Sequence, residues 1–301
     1  MRRRIFLLTV LLFFIYPAIA QIQDPDNAIQ LSSDFDQAQG RLVFYSDNKD
    51  FCDYYLYISF VYSEGFEGMT TGSGASVTVG PGRHQIMTYR VRANTAGQGH
   101  SYNYKYLMFR GNFRKKPNID FVYSLPGTAN ETITSRIIEN QDGYQLTFDL
   151  TADTVYACRS GVMCDDNLKD NTAKGRNHFN DNRNLSQITI YHSDGSFGEY
   201  IFKGKSLVYP GQKIKMGAPI GIIEGTTRLR FSVYFLDKNK LDDMTIGNKH
   251  THFRPYFQTG KEGKTRLENE KTYTCVNTDE MLMQDMSKHE KKNFLKNKSQ
   301  K

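Results

Sequence analysis

Two histidines and two arginines stand in patterns that could do chemistry. His250 and His252 are separated by one residue, so both imidazoles would project to the same face of an extended strand. Together with His192 they could supply three neutral nitrogen ligands to zinc. Arg228 and Arg230 have the same spacing, but a guanidinium has no lone pair for a metal and donates paired hydrogen bonds to carboxylates instead. The sequence thus offers two chemistries, metal binding and anion binding.

The cysteines and one serine offer little nucleophilic chemistry. Cys52, Cys158, Cys164 and Cys275 allow three pairings, and all four could equally be small buried residues. Cys158 and Cys164 could close a short hairpin if their Cα atoms lie about 4.4–6.8 Å apart. The spacings lack the paired C-x-x-C of structural zinc sites. Ser73 stands between two glycines without the strand-turn-helix context of a hydrolase nucleophile, so a serine or cysteine hydrolase is not expected.

The first twenty residues have the form of a signal peptide. Residues 2–4 are arginines, residues 5–15 are apolar except for Thr9, and residues 18–20 read Ala-Ile-Ala. Cleavage before Gln21 is predicted, which places the mature protein in the periplasm or outside the cell. A retained anchor is the alternative, but the apolar run is shorter than the ~20 residues of a spanning helix. No later segment has the length and apolarity to cross a bilayer.

Composition describes a folded body with a basic end. The 301 residues include 19 Tyr and 20 Phe, enough large apolar surface for a packed core. Lys and Arg total 39 against 32 acidic residues, and the signal peptide holds three of the arginines. Residues 284–301 carry six Lys against two acids, which leaves the body near neutral. We therefore predict no nucleic-acid partner and a solvated, mobile tail at residues 278–301.

Strand patterns extend from residue 21 to residue 277. In residues 21–124, β-rich runs such as Tyr54–Tyr62 and Tyr102–Phe109 separated by turn signals predict an immunoglobulin-like β-sandwich. Ser124–Gly127 reads as the boundary of a second all-β domain over residues 125–277. There, Gln187–His192 and Phe197–Phe202 predict a hairpin, and residues 165–184 predict a long polar loop.

A glycine series follows this hairpin. Gly211, Gly217, Gly221 and Gly225 punctuate short apolar pairs, and we expect them to form turns with positive φ between very short strands.

The second region resembles the LytM or lysostaphin-type zinc peptidases. The resemblance covers roughly residues 123–234 and rests on an ordered set of motifs: Tyr123–Pro126, Tyr144–Phe148, Val155–Ala157 with Gly161–Val162, Ile190–Gly195, Glu199–Tyr200, the glycine series and Leu229–Val233. It implies a compact antiparallel β core with a groove, the duplicated hybrid motif. The family cuts peptide crosslinks in bacterial cell walls.

The resemblance also implies a catalytic zinc held by His, Asp and His, with an open position for water. In this sequence Arg136 and Thr147 stand nearest the first two ligand positions. The His-Leu-His-Phe motif that carries the third ligand reads Arg-Leu-Arg-Phe here, with Arg228 and Arg230 in place of its histidines. Phe202 occupies the position of a further catalytic His. Asp149 lies two residues beyond Thr147 and could substitute as a ligand from the same strand face.

These departures predict a pseudoenzyme without a cofactor. Arg136, Arg228 and Arg230 would gather at the groove floor and bind a carboxylate, either of a peptidoglycan stem peptide or of an envelope protein such as a cell-wall hydrolase. Three alternatives stay open. The chain could be an active metallopeptidase with unorthodox ligands that cuts peptidoglycan crosslinks, or it could bind metal at His192, His250 and His252. It could also be a structural module of an envelope complex, with its arginines paired to acids such as Glu224 or Asp149.

Overall fold

The computed structural model describes residue 24 and residues 26–93, 100–140, 143–170, 185–225, 228–243 and 247–298. The predicted signal peptide, residues 1–20, lies outside this range, as does part of the predicted loop, residues 171–184. The described chain is almost entirely β-structure and its strands pair antiparallel with one exception, which confirms the all-β fold class. Within the described residues no helix has the length and apolarity needed to cross a bilayer.

The first unit is a sandwich of two three-stranded sheets. Tyr54, Leu56, Ile58 and Phe60 alternate along β3 and are at most 1% exposed, as expected when one face of a strand covers a core. Phe44 of the opposite sheet meets the Phe60 ring edge-on, with centroids 5.9 Å apart. The sheets have the orders β1-β2-β5 and β4-β3-β6. Their strands are β1 Ile29–Asp36, β2 Arg41–Asn48, β3 Tyr54–Glu64, β4 Gly74–Val79, β5 Gly82–Arg90 and β6 Ser101–Arg110.

The second unit is built on a long antiparallel sheet with the path β14-β11-β12-β13-β16-β9-β8-β20. β15 joins β10 to β13, β17 adds to β16, and β7, β18 and β19 form a small separate sheet. The strands are β7 Val122–Tyr123, β8 Thr132–Asn140, β9 Gly143–Asp149, β10 Thr154–Tyr156, β11 Gly161–Met163, β12 Leu185–Tyr191, β13 Ser196–Ser206, β14 Lys213–Ile214, β15 Pro219–Ile223, β16 Arg228–Leu236, β17 His250–His252, β18 Tyr256–Thr259, β19 Gly263–Thr265 and β20 Lys271–Thr274.

The core of the second unit begins before the boundary predicted at residue 125. β7 pairs in parallel with β18, through Val122 opposite Tyr256 and Tyr123 opposite Phe257. Phe121 and Tyr123 are buried in the second core. Pairing with a strand about 130 residues away is not visible in a local pattern, which is why the turn at Ser124–Gly127 suggested a later boundary.

The glycine series matches its prediction at three positions. Gly211, Gly217 and Gly225 have φ of 84°, 76° and 86°, the left-handed values that turns require of glycine. Gly221 differs, because it lies inside β15 and a Cβ there would stand 2.2 Å from the ring of Phe202. Its small size serves close packing rather than a turn.

The tail predicted to be mobile contains two helices, α1 Asp279–Leu282 and α2 Lys288–Lys298. Thr278 caps α1 by accepting a hydrogen bond from the Met281 amide. Met281 is 4% exposed and packs in the second core. Asp285 reaches the buried guanidinium of Arg159, 3.3 Å away. These tertiary contacts, rather than any strong apolar periodicity, hold the start of this segment against the body.

A buried ion-pair network joins the two units. Arg110 of β6 is 1% exposed and lies 2.9 Å from Asp50 and 2.8 Å from Asp166. It also donates to the Tyr54 hydroxyl at 3.1 Å and to the Asp165 carbonyl oxygen at 2.9 Å. Because Asp50 belongs to the sandwich and Asp165 and Asp166 to the second unit, one guanidinium satisfies acceptors on both sides.

Candidate functional site

Strand register brings the predicted ligand positions into one row. Arg136 on β8 is directly opposite Thr147 on β9, and Thr147 is directly opposite Arg230 on β16. Directly opposite residues on antiparallel strands share a sheet face. Asp149 and Arg228 form the next row on that face, opposite one another. We call these five residues the arginine face.

Two arginines of the arginine face share the carboxylate of Asp149. A terminal guanidinium nitrogen of Arg136 lies 3.0 Å from Asp149 Oδ2, and Nε of Arg228 lies 3.2 Å from Asp149 Oδ1. The two arginine side chains are 48% and 56% exposed. Pairing of the arginines with Asp149 was one of the predicted alternatives. Glu224, the other acid named there, instead lies 3.8 Å from Lys205.

A second carboxylate lies on the same side of the sheet, at a position that the sequence analysis did not connect with the arginines. Glu199 on β13 is opposite Ser232 on β16. On the same face of these two strands, the adjacent pair is Ile201 opposite Arg230. It accepts hydrogen bonds from Gln187 Nε2 at 2.9 Å and from Ser232 Oγ at 3.3 Å. Only the pairing of β12, β13 and β16 shows that Glu199 borders the arginine face.

Phe202 does not reach the arginine face. It is opposite Leu229, which alternates with Arg228 and Arg230 and therefore points to the other side of the sheet. Phe202 is 1% exposed and packs in the second core. A buried phenyl ring there supports the sheet and can neither donate nor accept a proton.

Of the three histidines of the alternative metal site, His250 and His252 both contact Tyr234, whereas His192 has other neighbours. Nε2 of His250 is 2.7 Å from the Arg110 carbonyl oxygen, and its ring packs on Tyr234. His252 also stacks near Tyr234, whereas Nδ1 of His192 lies 2.8 Å from the Ser160 carbonyl oxygen. Among the described residues, three potential metal-ligand atoms lie mutually within 4.8 Å in one group, formed by Asp50, Cys52 and Cys164, and no histidine belongs to it.

The residues of the row do not fit the zinc that the resemblance implies. Arg136 and Arg230 present cations without lone pairs, and Thr147 offers a neutral hydroxyl that is 5% exposed. Asp149 is the only carboxylate among the five residues, and two guanidiniums already occupy it. Divalent ions need deprotonated ligands and are repelled by such a cluster.

A cleft of about 980 Å³ lies between the two units and the C-terminal helices. Phe51 and Lys115 line it from the first half of the chain, and His192 lines it from the β12–β13 turn. Met286 and Phe294 contribute apolar surface from the C-terminal segment. No local sequence pattern indicates this cleft, because its walls come from segments far apart along the chain.

Arg159 lies buried behind one wall of the cleft and interacts with Asp285 and His192 of that wall. It is 2% exposed and lies 2.9 Å from Asp194 and 3.7 Å from the centroid of the Phe121 ring. Burial, reinforced by the Arg159 charge, lowers the pKa of His192 to about 3. Burial opposes ionisation of Asp194, but the Arg159 charge and hydrogen bonds from Asn118 and Ser196 outweigh it and lower the pKa of Asp194 to about 2.

Comparisons with known proteins find little. No family model matches the chain, and no curated protein matches it. Among solved structures, one match is to a protein described as a novel M23 metalloprotease, pseudoalterin, from the deep sea. It is 14% identical with a TM-score of 0.29, and the match covers 52% of this chain and 96% of that one. A likeness at this TM-score carries no argument about function.

Proposed function

We propose that this chain is an exported, non-hydrolytic binding module of LytM-like type whose arginine face binds a carboxylate-bearing ligand. The ligand class is a cell-wall stem peptide, or an acidic segment of an envelope protein such as a cell-wall hydrolase. The observation that carries the proposal is the row Arg136, Thr147 and Arg230. Three positions that the resemblance assigns to metal ligands lie side by side and hold no metal-binding side chain.

The composition of the row argues against hydrolysis. A metallopeptidase needs a divalent ion to lower the pKa of its bound water and to polarise the peptide carbonyl. Arginine could supply positive charge to a carbonyl oxygen but stays protonated and cannot act as a base at neutral pH. With Phe202 buried on the opposite side of the sheet, the position aligned with the catalytic His supplies no base either.

The charge and exposure of the arginine face favour anion binding. Arg136 and Arg228 each contact Asp149 through one nitrogen, and their side chains remain about half exposed. Guanidinium groups bind carboxylates through two parallel hydrogen bonds, which gives both affinity and orientation. Two guanidiniums on a single carboxylate leave a surplus positive charge that an incoming carboxylate would neutralise.

The same ion pairs support a second candidate, a purely structural module. In that case Asp149 is the final partner of both arginines, and the arginine face makes no contact with a ligand. Exposed ion pairs of this kind contribute about 0–1 kcal/mol to stability, so stability measurements alone would distinguish the two candidates poorly. A binding experiment is needed.

The binding test uses isothermal titration of the purified mature protein with soluble muropeptides. One set of muropeptides has free stem-peptide carboxylates and a matched set has them amidated. We expect Arg228→Gln with Arg230→Gln to weaken binding of the free acids about 10- to 100-fold, the effect of losing a charge-assisted hydrogen bond worth about 1.5–3 kcal/mol. Arg41→Gln, which removes a comparable exposed arginine paired with Asp36 in the sandwich, serves as the matched control.

Two results would count against the proposal. Equal affinity of the wild type and the double variant would remove the arginine face from binding and favour the structural module. Cleavage of crosslinked muropeptides by the wild type, stopped by a chelator and restored by zinc, would support the active metallopeptidase instead.

A further inference from the structure

Two cysteines from different units meet in the interior. The Sγ atoms of Cys52 and Cys164 lie within 4.8 Å of one another, and both residues are fully buried. Cys52 lies just before β3 of the sandwich, whereas Cys164 directly follows β11 of the second unit. Burial, together with a hydrogen bond to Cys164, raises the pKa of the Cys52 thiol well above its usual range.

The pairing of Cys158 with Cys164, which the sequence left open, is disfavoured because the two cysteines pack in different cores. Cys158 packs in the core of the second unit together with Cys275, whereas Cys164 packs with Cys52 in the core of the sandwich. A disulfide needs Cα atoms closer than about 7 Å.

We propose that Cys52 and Cys164 form a disulfide that joins the sandwich to the second unit in the exported protein. The oxidant is a molecule with a disulfide bond of its own, which takes up the two electrons. The thiolate of one cysteine attacks a sulfur of the oxidant's disulfide, a mixed disulfide forms, and the thiolate of the other cysteine displaces the oxidant. The oxidant leaves as a dithiol that carries the two electrons and two protons given up by the cysteines. Because both sulfurs are buried in the fold, this exchange takes place before the two units pack together.

The surroundings favour a disulfide over a bound metal. Asp50 is the third member of the group, and its Oδ2 already accepts hydrogen bonds from Tyr54 at 2.9 Å and Cys52 at 3.4 Å. The same oxygen lies 2.9 Å from the guanidinium of Arg110. A divalent ion would have to displace these donors and lie beside a buried positive charge, whereas a disulfide is neutral and leaves the ion pair intact.

The disulfide would fix the geometry of the cleft. Phe51 precedes Cys52, Val162 lies two residues before Cys164, and both line the cleft from opposite units. The bond would close a loop of more than one hundred residues. A cross-link restricts the unfolded chain more as the loop that it closes becomes longer. The buried network around Arg110 lies directly beside it.

Peptide mapping tests the pairing. The full mature chain, refolded with a mixture of oxidised and reduced glutathione, is alkylated under denaturing acidic conditions and digested with trypsin without reduction. Trypsin cuts at Arg159, so Cys158 and Cys164 fall in separate fragments, 137–159 and 160–169. Cys52 falls in fragment 50–83 and Cys275 in fragment 272–288. We expect fragment 50–83 linked to fragment 160–169, lost on reduction and retained in the control variant Cys158→Ala.

Three outcomes would overturn the proposal: alkylated thiols at both Cys52 and Cys164, a link between fragments 137–159 and 160–169, or stoichiometric zinc retained by both thiols. A thermal measurement adds an independent check. Reduction should lower the Tm of the wild type more than that of the Cys52→Ala, Cys164→Ala variant, and equal shifts would contradict a stabilising bond. Neither readout depends on ligand binding, so loss of muropeptide affinity and absence of the disulfide are separate findings.

Discussion

His192 should make the protein sensitive to mild acid. Its imidazole is 1% exposed at the end of β12, and Nδ1 lies 2.8 Å from the Ser160 carbonyl oxygen. That contact fits a neutral ring with the proton on Nδ1. Burial, followed by the charge of Arg159, lowers the pKa from 6.5 to about 3. The folded protein therefore keeps this residue neutral at pH values at which the unfolded chain protonates it.

The size and the sign of the pH effect on stability follow from the difference between the pKa of His192 in the folded and in the unfolded chain. Between pH 6.5 and about pH 3 the unfolded chain binds one proton more than the folded chain at this position, so stability falls as pH falls. The full shift of about 3.5 pKa units corresponds to about 5 kcal/mol, at about 1.4 kcal/mol per unit. Going from pH 7.5 to pH 5 should cost about 2 kcal/mol, because at pH 5 the unfolded imidazole is largely protonated while the folded one is not.

The assay is urea unfolding of the wild type and of His192→Asn at pH 7.5 and pH 5. Asparagine can donate to the Ser160 carbonyl oxygen from a position near that of Nδ1 but does not titrate in this range. The variant should lose about 2 kcal/mol less than the wild type on acidification, whatever its stability at pH 7.5. His84→Asn changes an exposed histidine and should retain the wild-type pH dependence. Equal losses of stability in the wild type and in His192→Asn would show that His192 is not the group responsible.

Three further substitutions test the packing and charge described above. The ionised Asp194 side chain should contribute up to about 2 kcal/mol of stability, present above pH 3.8 and lost as the pH falls through about 2. Asp194→Asn should remove this contribution and shift the midpoint of acid unfolding; an unchanged midpoint would contradict this. Gly204→Ala should lower the free energy of unfolding by about 3 kcal/mol or more, because φ is 143° and the new Cβ would lie 2.0 Å from the Ile222 carbonyl oxygen. As the control in the same urea assay, Gly247→Ala should be near neutral, because its Cβ meets nothing within 4 Å. Arg110→Met should lower the free energy of unfolding by about 3–5 kcal/mol, because it leaves the carboxylates of Asp50 and Asp166 without their cation; a loss below about 1 kcal/mol would contradict this.

Local patterns in the sequence predicted much of the secondary structure. The predicted hairpin corresponds to β12 and β13, which pair from Leu185 opposite Lys203 to Tyr191 opposite Phe197. Alternation of apolar and polar residues sets the buried face of a strand wherever one face meets a core, and β3 follows that rule. The tail was harder, because its helices depend on tertiary contacts of Met281 and Asp285 rather than on a periodic apolar face.

In the candidate site, too, local sequence patterns place some residues, whereas others depend on long-range strand pairing. Spacing along one strand was enough to place Arg228 and Arg230 on the same side of β16, because side chains alternate with period two. Their neighbours Arg136, Asp149 and Glu199 depend on which strands pair and in which register.

Local patterns in the sequence therefore account for the strand content, for three of the glycine turns, and for Arg228 and Arg230 lying on one strand face. Only the packing of distant strands shows that Arg136 and Arg228 share Asp149, that Cys52 meets Cys164, and that segments from both units enclose a cleft. The physical reason is range. Backbone preference and alternation act over a few residues, whereas each of these contacts joins residues brought together by packing of distant strands, whose register follows from the burial of whole faces.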